Sequence, residues 1–551
     1  MSPLARRTSA LALTLVLAGA GVAATATSAQ AVTTDERPAE IAASWITGQL
    51  NSDHVLTTFF GSSEFPDYGM TIDTGLGLIG IGGHGSTVDD IAAGLAPNIA
   101  TSYAQSDEYD FNPPYAFVQK GKYAGATAKS LVFAQAAGEN TATWAGIDLV
   151  AATEDRVITS GNSQGRIADD SSYGDYANTI GQAFAARGLS VASSTKAADV
   201  ISFLLEQQCA AGFFRLNFTS DKTAADQTCD GGDATASAPD TDTTALAVLQ
   251  LAEVPSPSQS VTDAIAAAET WLLGAQRADG SFGGGPSTSG SNTNSTGLAG
   301  WALGVLGDSD AAKAAAAWVR RHQADEVAGC ANGLSDSTGA LAYDDAALAD
   351  GRANGIPDSV VGQWRRSTGQ VLGVLQYAPP ASGPLFLRNG SPDGYLKGGT
   401  SAPFRVQGLA PGEKVCISVQ GVKHEQTAGT DGTAFFSFTL PSATTTRYVA
   451  ATDQAGDKVS TALKVLGPKT LTVTSTAAHL GQKLAARVAG LAPGEKVTVK
   501  FHESSVVGFA DASGEFLARF TVTKPLGTAK ISAFGQFPDL RKGSRSVTVR
   551  S

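Results

Sequence analysis

No Cys-x-x-Cys pair occurs in the 551 residues of this chain, so the usual framework of a structural zinc site is missing. After the first 31 residues, no stretch reaches the roughly 18 apolar residues that a membrane-crossing helix needs. Positive charge is short. Against 39 Lys and Arg stand 51 Asp and Glu, a net charge of -12, and a nucleic-acid partner would require a basic surface. Cysteine is limited to four residues, Cys209, Cys229, Cys330 and Cys416.

What is present is a well-patterned apolar chain. Hydrophobic residues make up 42% and charged residues 16%, enough for a large core, and 62 glycines imply many turns. Residues 1–31 have the layout of a secretory signal: Arg6-Arg7, an apolar stretch from Leu11 to Ala24, and Ala29-Gln30-Ala31 as cleavage site. The expectation is an exported chain, secreted or held at a cell wall without a covalent anchor. Export permits disulfides. Cys209 and Cys229 flank one loop and form the expected pair, while the pairing of Cys330 and Cys416 stays open.

The stretch from Ser260 to Leu306 organises the chain. Ile265, Ala268, Trp271, Leu272 and Ala275 recur at helical spacing, a glycine-rich turn follows at Gly280–Gly285, and Leu298, Trp301, Ala302 and Val305 mark a second helix. Such a hairpin cannot bury its apolar faces alone, and copies of it recur at intervals of about 50 residues. First helices are expected to start near Pro38, Thr87, Ala145, Lys196, Ser260 and Asp310. Second helices are expected to open at Asp73-Thr74-Gly75, Thr127-Ala128, Asn178-Thr179, Asp242-Thr243-Thr244, Asn294-Ser295-Thr296-Gly297 and Arg366-Ser367-Thr368-Gly369, where Asp, Asn and Thr oxygens would cap them. Six hairpins, each an outer helix then an inner one, can close into an α6/α6 toroid over residues 38–378. The inner-helix N-termini would share one mouth.

Trp271-Leu272-Leu273, Gln276 and Asp279-Gly280-Ser281-Phe282-Gly283 resemble the QW-type repeat of squalene cyclases and protein prenyltransferase β subunits. Trp45 with Gln49, Phe203 with Gln207, and Trp318 with Gln323 echo it. The resemblance implies the α/α toroid. For a class II terpene cyclase it also implies an Asp-x-Asp-Asp acid motif, which Asp240 and Asp242 match at the first and central acids, with Thr243 in place of the last. A prenyltransferase would need an Asp-x-Cys zinc site that this chain lacks. No cofactor and no metal site is expected.

Composition shifts after Ala378. Residues 379–384 read as a Pro/Gly linker, and alternating segments then mark strands. The octapeptide Gly408–Val415 recurs as Gly490–Val497, so two immunoglobulin-like sandwiches are expected over 383–466 and 467–551.

Aromatic residues crowd the loops that would surround the mouth. Phe59, Tyr68, Tyr115, Tyr173, Tyr176, Phe213, Phe282 and Tyr343 are the candidate ligand-binding residues, suited to a small apolar or sugar-like ligand. The first reading is therefore a secreted, non-catalytic surface or ligand-binding protein, with a cell wall or surface as a further partner. The alternative is an enzyme, terpene cyclase- or prenyltransferase-like or glycan-acting, using Asp240 and Asp242.

Overall fold

The computed structural model describes residues 34–113, 115–231, 237–389, 394–523 and 525–551. The expected leader, 1–31, lies outside them.

The helical part runs α1 Arg37–Thr47, α2 Tyr68–Ile81, α3 Gly85–Asn98, α4 Ala124–Ala137, α5 Leu149–Glu154, α6 Thr179–Val191, α7 Ala197–Glu206, α8 Thr241–Leu251, α9 Gln259–Ala275, α10 Thr293–Leu306, α11 Ser309–Arg321, α12 Asp345–Asn354 and α13 Asp358–Leu375. The inner helices α2, α4, α6, α8, α10 and α13 each pack on the next, and α13 packs on α2. The ring is closed. The outer helices α1, α3, α5, α7, α9 and α11 cover it from outside. At the seam, Asp35 N–H donates to the Ala378 carbonyl at 2.8 Å, so the two ends of the toroid meet.

Two repeated devices build the ring. The first joins successive outer helices. Gln208, Gln276 and Gln323 each donate through the side-chain amide to a turn carbonyl (Gly212, Gly280, Gly339) and to the next outer helix, at Ala264, Ala311 and Pro38. The echo expected at Gln207 is thus displaced by one residue, since Gln207 instead accepts from buried Arg215. The turn glycines Gly165, Gly212, Gly280 and Gly339 have φ of 89°, 100°, 90° and 102°. A Cβ at Gly280 would also run into the carbonyl of Ala314, so glycine is required there for both conformation and space.

The second device joins the turn to its inner helix. Thr71, Thr244, Thr296 and Thr368 accept the N–H of Leu56, Phe214, Phe282 and Leu341 at 2.9–3.0 Å. Gln182 does the same for Ile167 at 2.9 Å. This corrects the expected helix starts other than Asn178-Thr179, which opens α6 as expected; α4 opens at Ala124, three residues before Thr127. The caps are Asp67, Asn178, Asp240 and Asn292, whose side chains accept from the N–H three residues on. Asp73 and Asn294 lie inside their helices, and Arg366-Ser367-Thr368 lies two turns into α13. The threonines hold the preceding turn, and the following glycines let helices close up: Gly75 abuts Phe133 and Gly297 abuts Val371.

Two immunoglobulin-like sandwiches follow. In the first, a three-stranded sheet of Phe386–Asn389, Ser401–Gln407 and Ala434–Thr439 faces a five-stranded one. In the second, Thr472–Ser475, Lys483–Ala489 and Glu515–Thr521 face a sheet built on Lys496–Phe501, Ser504–Phe509, Gly527–Phe534 and Arg541–Arg550. The repeated octapeptide has a local cause: Glu413 and Glu495 each accept the N–H three residues back, at Ala410 and Ala492.

Both cysteine pairs are disulfides. Cys209–Cys229 closes the expected loop, and Cys330–Cys416 ties the toroid to the first sandwich. Beside the latter, Lys414 donates to Glu326 at 2.8 Å and to the Gln323 carbonyl at 2.6 Å, and Arg352 pairs with Glu425. Among the described residues no helix is long and apolar enough to cross a membrane.

Candidate functional site

Ring closure sets the inner-helix N-termini around one opening. Above it lies a mouth cavity of ≈ 620 Å³ lined by Thr58, Phe59, Asp242, Asn294, Tyr343, Gln363 and Arg366, among others. Most of its lining groups are amides, hydroxyls and charges. Below it the lumen holds a second cavity of ≈ 560 Å³. That one is walled by Leu76, Ile79, Phe184, Leu246, Leu298 and Trp301, carries Asp73, Lys129, Arg187, Gln250 and Glu253 among them, and extends to Val305 and Tyr377 at the opposite ends of the inner helices. Arg366 and Gln370 line both cavities.

A polar belt crosses the ring where the cavities meet. Lys129 of α4 pairs with Asp73 of α2 at 2.6 Å. Gln370 of α13 donates to Asp73 at 3.0 Å and accepts from the Asn294 amide of α10. Burial alone would pull the Lys129 ammonium toward neutrality, but Asp73 outweighs it and raises the Lys129 pKa.

Asp240 and Asp242 separate in role. Asp240 caps α8, accepting the Thr243 N–H at 2.8 Å. Asp242, two residues on, lines the mouth cavity, and its Oδ1 has no hydrogen-bond partner among the described residues. Burial pushes the Asp242 carboxyl up to about 6; the Ser295 hydroxyl partly opposes this and the Asp240 charge adds to it. A carboxyl in that range holds or releases a proton near neutral pH.

The expected aromatic set divides into four groups. Phe59 and Tyr343 line the mouth cavity. Tyr115, Tyr173 and Tyr176 are exposed, on or beside the hairpin of Gln105–Asp110 and Ala116–Lys122. There Tyr173 stacks on Phe111 with ring centres 5.9 Å apart. The hairpin is anchored by Glu108, which accepts from Ser171, Ser172 and Tyr123. Burial would raise this carboxyl, but those hydrogen bonds prevail and lower it to about 2. Phe213 and Phe282 are buried, Phe213 against Trp271 and the Cys209–Cys229 pair, so both belong to the core. Tyr68 opens α2 and packs on Tyr103 at 6.3 Å, away from both cavities. Asn294, Gln363, Arg366 and Gln370 belong to the site without having been singled out as ligand contacts. Of these, Asn294 and Arg366 carry a signal in the sequence, since each stands two residues before the threonine that holds the preceding turn, as Asp242 does.

No family model matches the chain, and no curated protein matches it. Solved structures resemble its toroid. A protein from Actinoplanes is 17% identical, covering 62% of this chain and 99% of its own, with a TM-score of 0.41. Type II terpene cyclase MstE from Scytonema is 15% identical over 62% of this chain and 96% of its own, with a TM-score of 0.42. A glycosidase variant is 14% identical over 62% of this chain and 97% of its own, with a TM-score of 0.39.

Proposed function

We propose that this protein is exported and uses its toroid to hold a small ligand with a polar, sugar-like part at the mouth and an apolar part in the lumen. The observation that carries this reading is two stacked cavities that share Arg366 and Gln370, the lower with an aliphatic and aromatic wall from Leu76, Ile79, Phe184, Leu246, Leu298 and Trp301. Amides and hydroxyls at the mouth suit a hydroxyl-rich group, with Phe59 and Tyr343 as faces for it to pack on. The aliphatic wall below suits a hydrocarbon group. The two sandwiches act as spacers that hold the toroid off a surface.

A second reading is favoured by Asp242. A carboxyl pushed up to about 6 on a residue that lines a cavity has the properties of a general acid. In that reading the protein is an enzyme, cyclase-like or glycan-acting, and Asp242 gives its proton to a ligand alkene or glycosidic oxygen. Asp240 holds the helix that carries it.

Mass spectrometry of molecules that co-purify with the full-length chain and with Asp242→Asn separates the two. Binding predicts the same captured mass in both proteins. Catalysis predicts a converted product with the parent chain and unconverted ligand with the variant. An empty toroid in both, with no ligand retained from an extract, would sink both readings.

A further inference from the structure

Charge is distributed unevenly along this chain. Residues 1–382 hold 19 Lys and Arg against 40 Asp and Glu, a net −21, whereas residues 467–551 hold 12 against 5, a net +7. The C-terminal sandwich is therefore strongly basic on a protein that is acidic elsewhere.

The strand register puts much of this positive charge on one face. In the larger sheet, Val497, Val499, Phe501, Ile531 and Ala533 point into the core. The alternate positions point out. They place Lys496 and Lys500 on one strand, Lys530 beside them, and Lys542 and Arg550 on the next. All five are exposed, and none forms an ion pair among the described residues. No carboxylate occupies an outward position on these four strands. The gaps are filled by Ser532, Ser544, Ser546 and Thr548, and by two exposed apolar side chains, Phe509 at 67% and Val507 at 55%. Lys500 extends over the Phe534 ring, 5.8 Å from its centre. The other sheet of this sandwich carries fewer free cations, Lys483 and Arg519, because its Arg487 is paired with Glu515.

We propose that this sheet face docks on an anionic surface polymer whose repeating phosphodiesters link polyol or sugar units. Four of the five cations are lysines, compact point charges that meet the oxygens of a flexible phosphate chain from many directions without a fixed fork geometry. Lys496 and Lys500 stand about 13 Å apart along their strand, four residues at about 3.3 Å each, a spacing that a flexible phosphate chain can span. The serines and threonine between them can hydrogen-bond polyol hydroxyls. Two disulfides suit a chain outside the cell, where a surface polymer is within reach. The acidic toroid would be repelled by the same polymer and so face away from it. The inference rests on the exported reading above but not on what the toroid holds.

The test measures binding of the full-length chain to immobilised poly(glycerol phosphate). With three to four contacts and a slope of about 0.7 per phosphate, affinity should fall roughly 20- to 50-fold between 50 and 200 mM salt. The triple variant Lys496→Gln, Lys500→Gln, Lys530→Gln should weaken binding at least tenfold with its melting temperature unchanged. Lys483→Gln with Arg519→Gln, on the opposite sheet, should change it less than twofold. Absence of binding at 50 mM salt, equal loss from both variants, or equally tight binding of single-stranded DNA of matched charge would each overturn the proposal. None of these outcomes touches ligand capture by the toroid, which is read separately.

Discussion

Asp240 holds the first turn of the helix on which Asp242 stands, and only Asp242 faces the mouth cavity. Two residues along a helix turn the side-chain direction by about 200°. The same Asp-Thr-Asp run therefore supplies one carboxylate to the helix cap and one to the cavity wall. Raising the Asp242 pKa has a consequence for stability. The folded state keeps this proton to about pH 6, whereas the unfolded chain loses it near 3.8, so stability is highest at low pH and falls as pH rises through 6. Asp242→Asn should remove that loss, stabilising the protein at pH 7.5 by about 2–3 kcal/mol and by nothing near pH 3.5. Unfolding curves at the two pH values check this; an equal effect at both would mean the carboxyl is not shifted.

Lys129→Met should destabilise the toroid by about 3 kcal/mol, because it strands Asp73 inside the ring. Adding Asp73→Leu should recover most of the loss. Chemical denaturation of the two variants measures the difference. If the double variant is worse than the single one, the belt is held by more than this pair.

At the junction of toroid and first sandwich, two carboxyls are driven apart. Burial and the neighbouring Glu326 push Glu425 up to about 8. Glu326 is also pushed up by burial, but hydrogen bonds from Glu425 and Lys414 and the Lys414 charge bring it down to about 2. Glu425 is thus protonated in the fold from about pH 4.5 to 8, and its contribution weakens the junction as pH climbs through that window. Glu326 contributes stability above about 4.5 that is lost toward pH 2. Glu425→Gln should flatten the fall in melting temperature between pH 5 and 8.5, and leave the acid limb below pH 4.5 unchanged.

Gly280→Ala should cost more than the roughly 1 kcal/mol of an ordinary positive-φ glycine, because the new Cβ also meets the Ala314 carbonyl. Gly307→Ala, with φ of 102° and open space around it, is the control for conformation alone. The gap between their melting temperatures isolates the steric part.

The ring was legible in the sequence because its signal is periodic. The outer helices begin at 37, 85, 149, 197, 259 and 309, within four residues of the positions inferred from apolar spacing. Caps were less legible, since Asp73 and Asn294 look as much like caps as Asp67 and Asn292 do, and only the turn that threads under Thr71 or Thr296 decides between them. The depth of an aromatic was not legible at all. Phe59 and Phe282 both sit in connecting turns, but ring closure leaves the first at the mouth and buries the second. Nor does local sequence join Cys330 to Cys416, 86 residues apart across a domain boundary.

The hydrogen bond from Asp35 to Ala378 brings the first and last turns of the toroid to one point. A wheel whose rim is already joined has no preferred starting spoke. Linking residue 35 directly to 378 and opening the chain in another surface turn, with the sandwiches left off, should therefore give the same wheel.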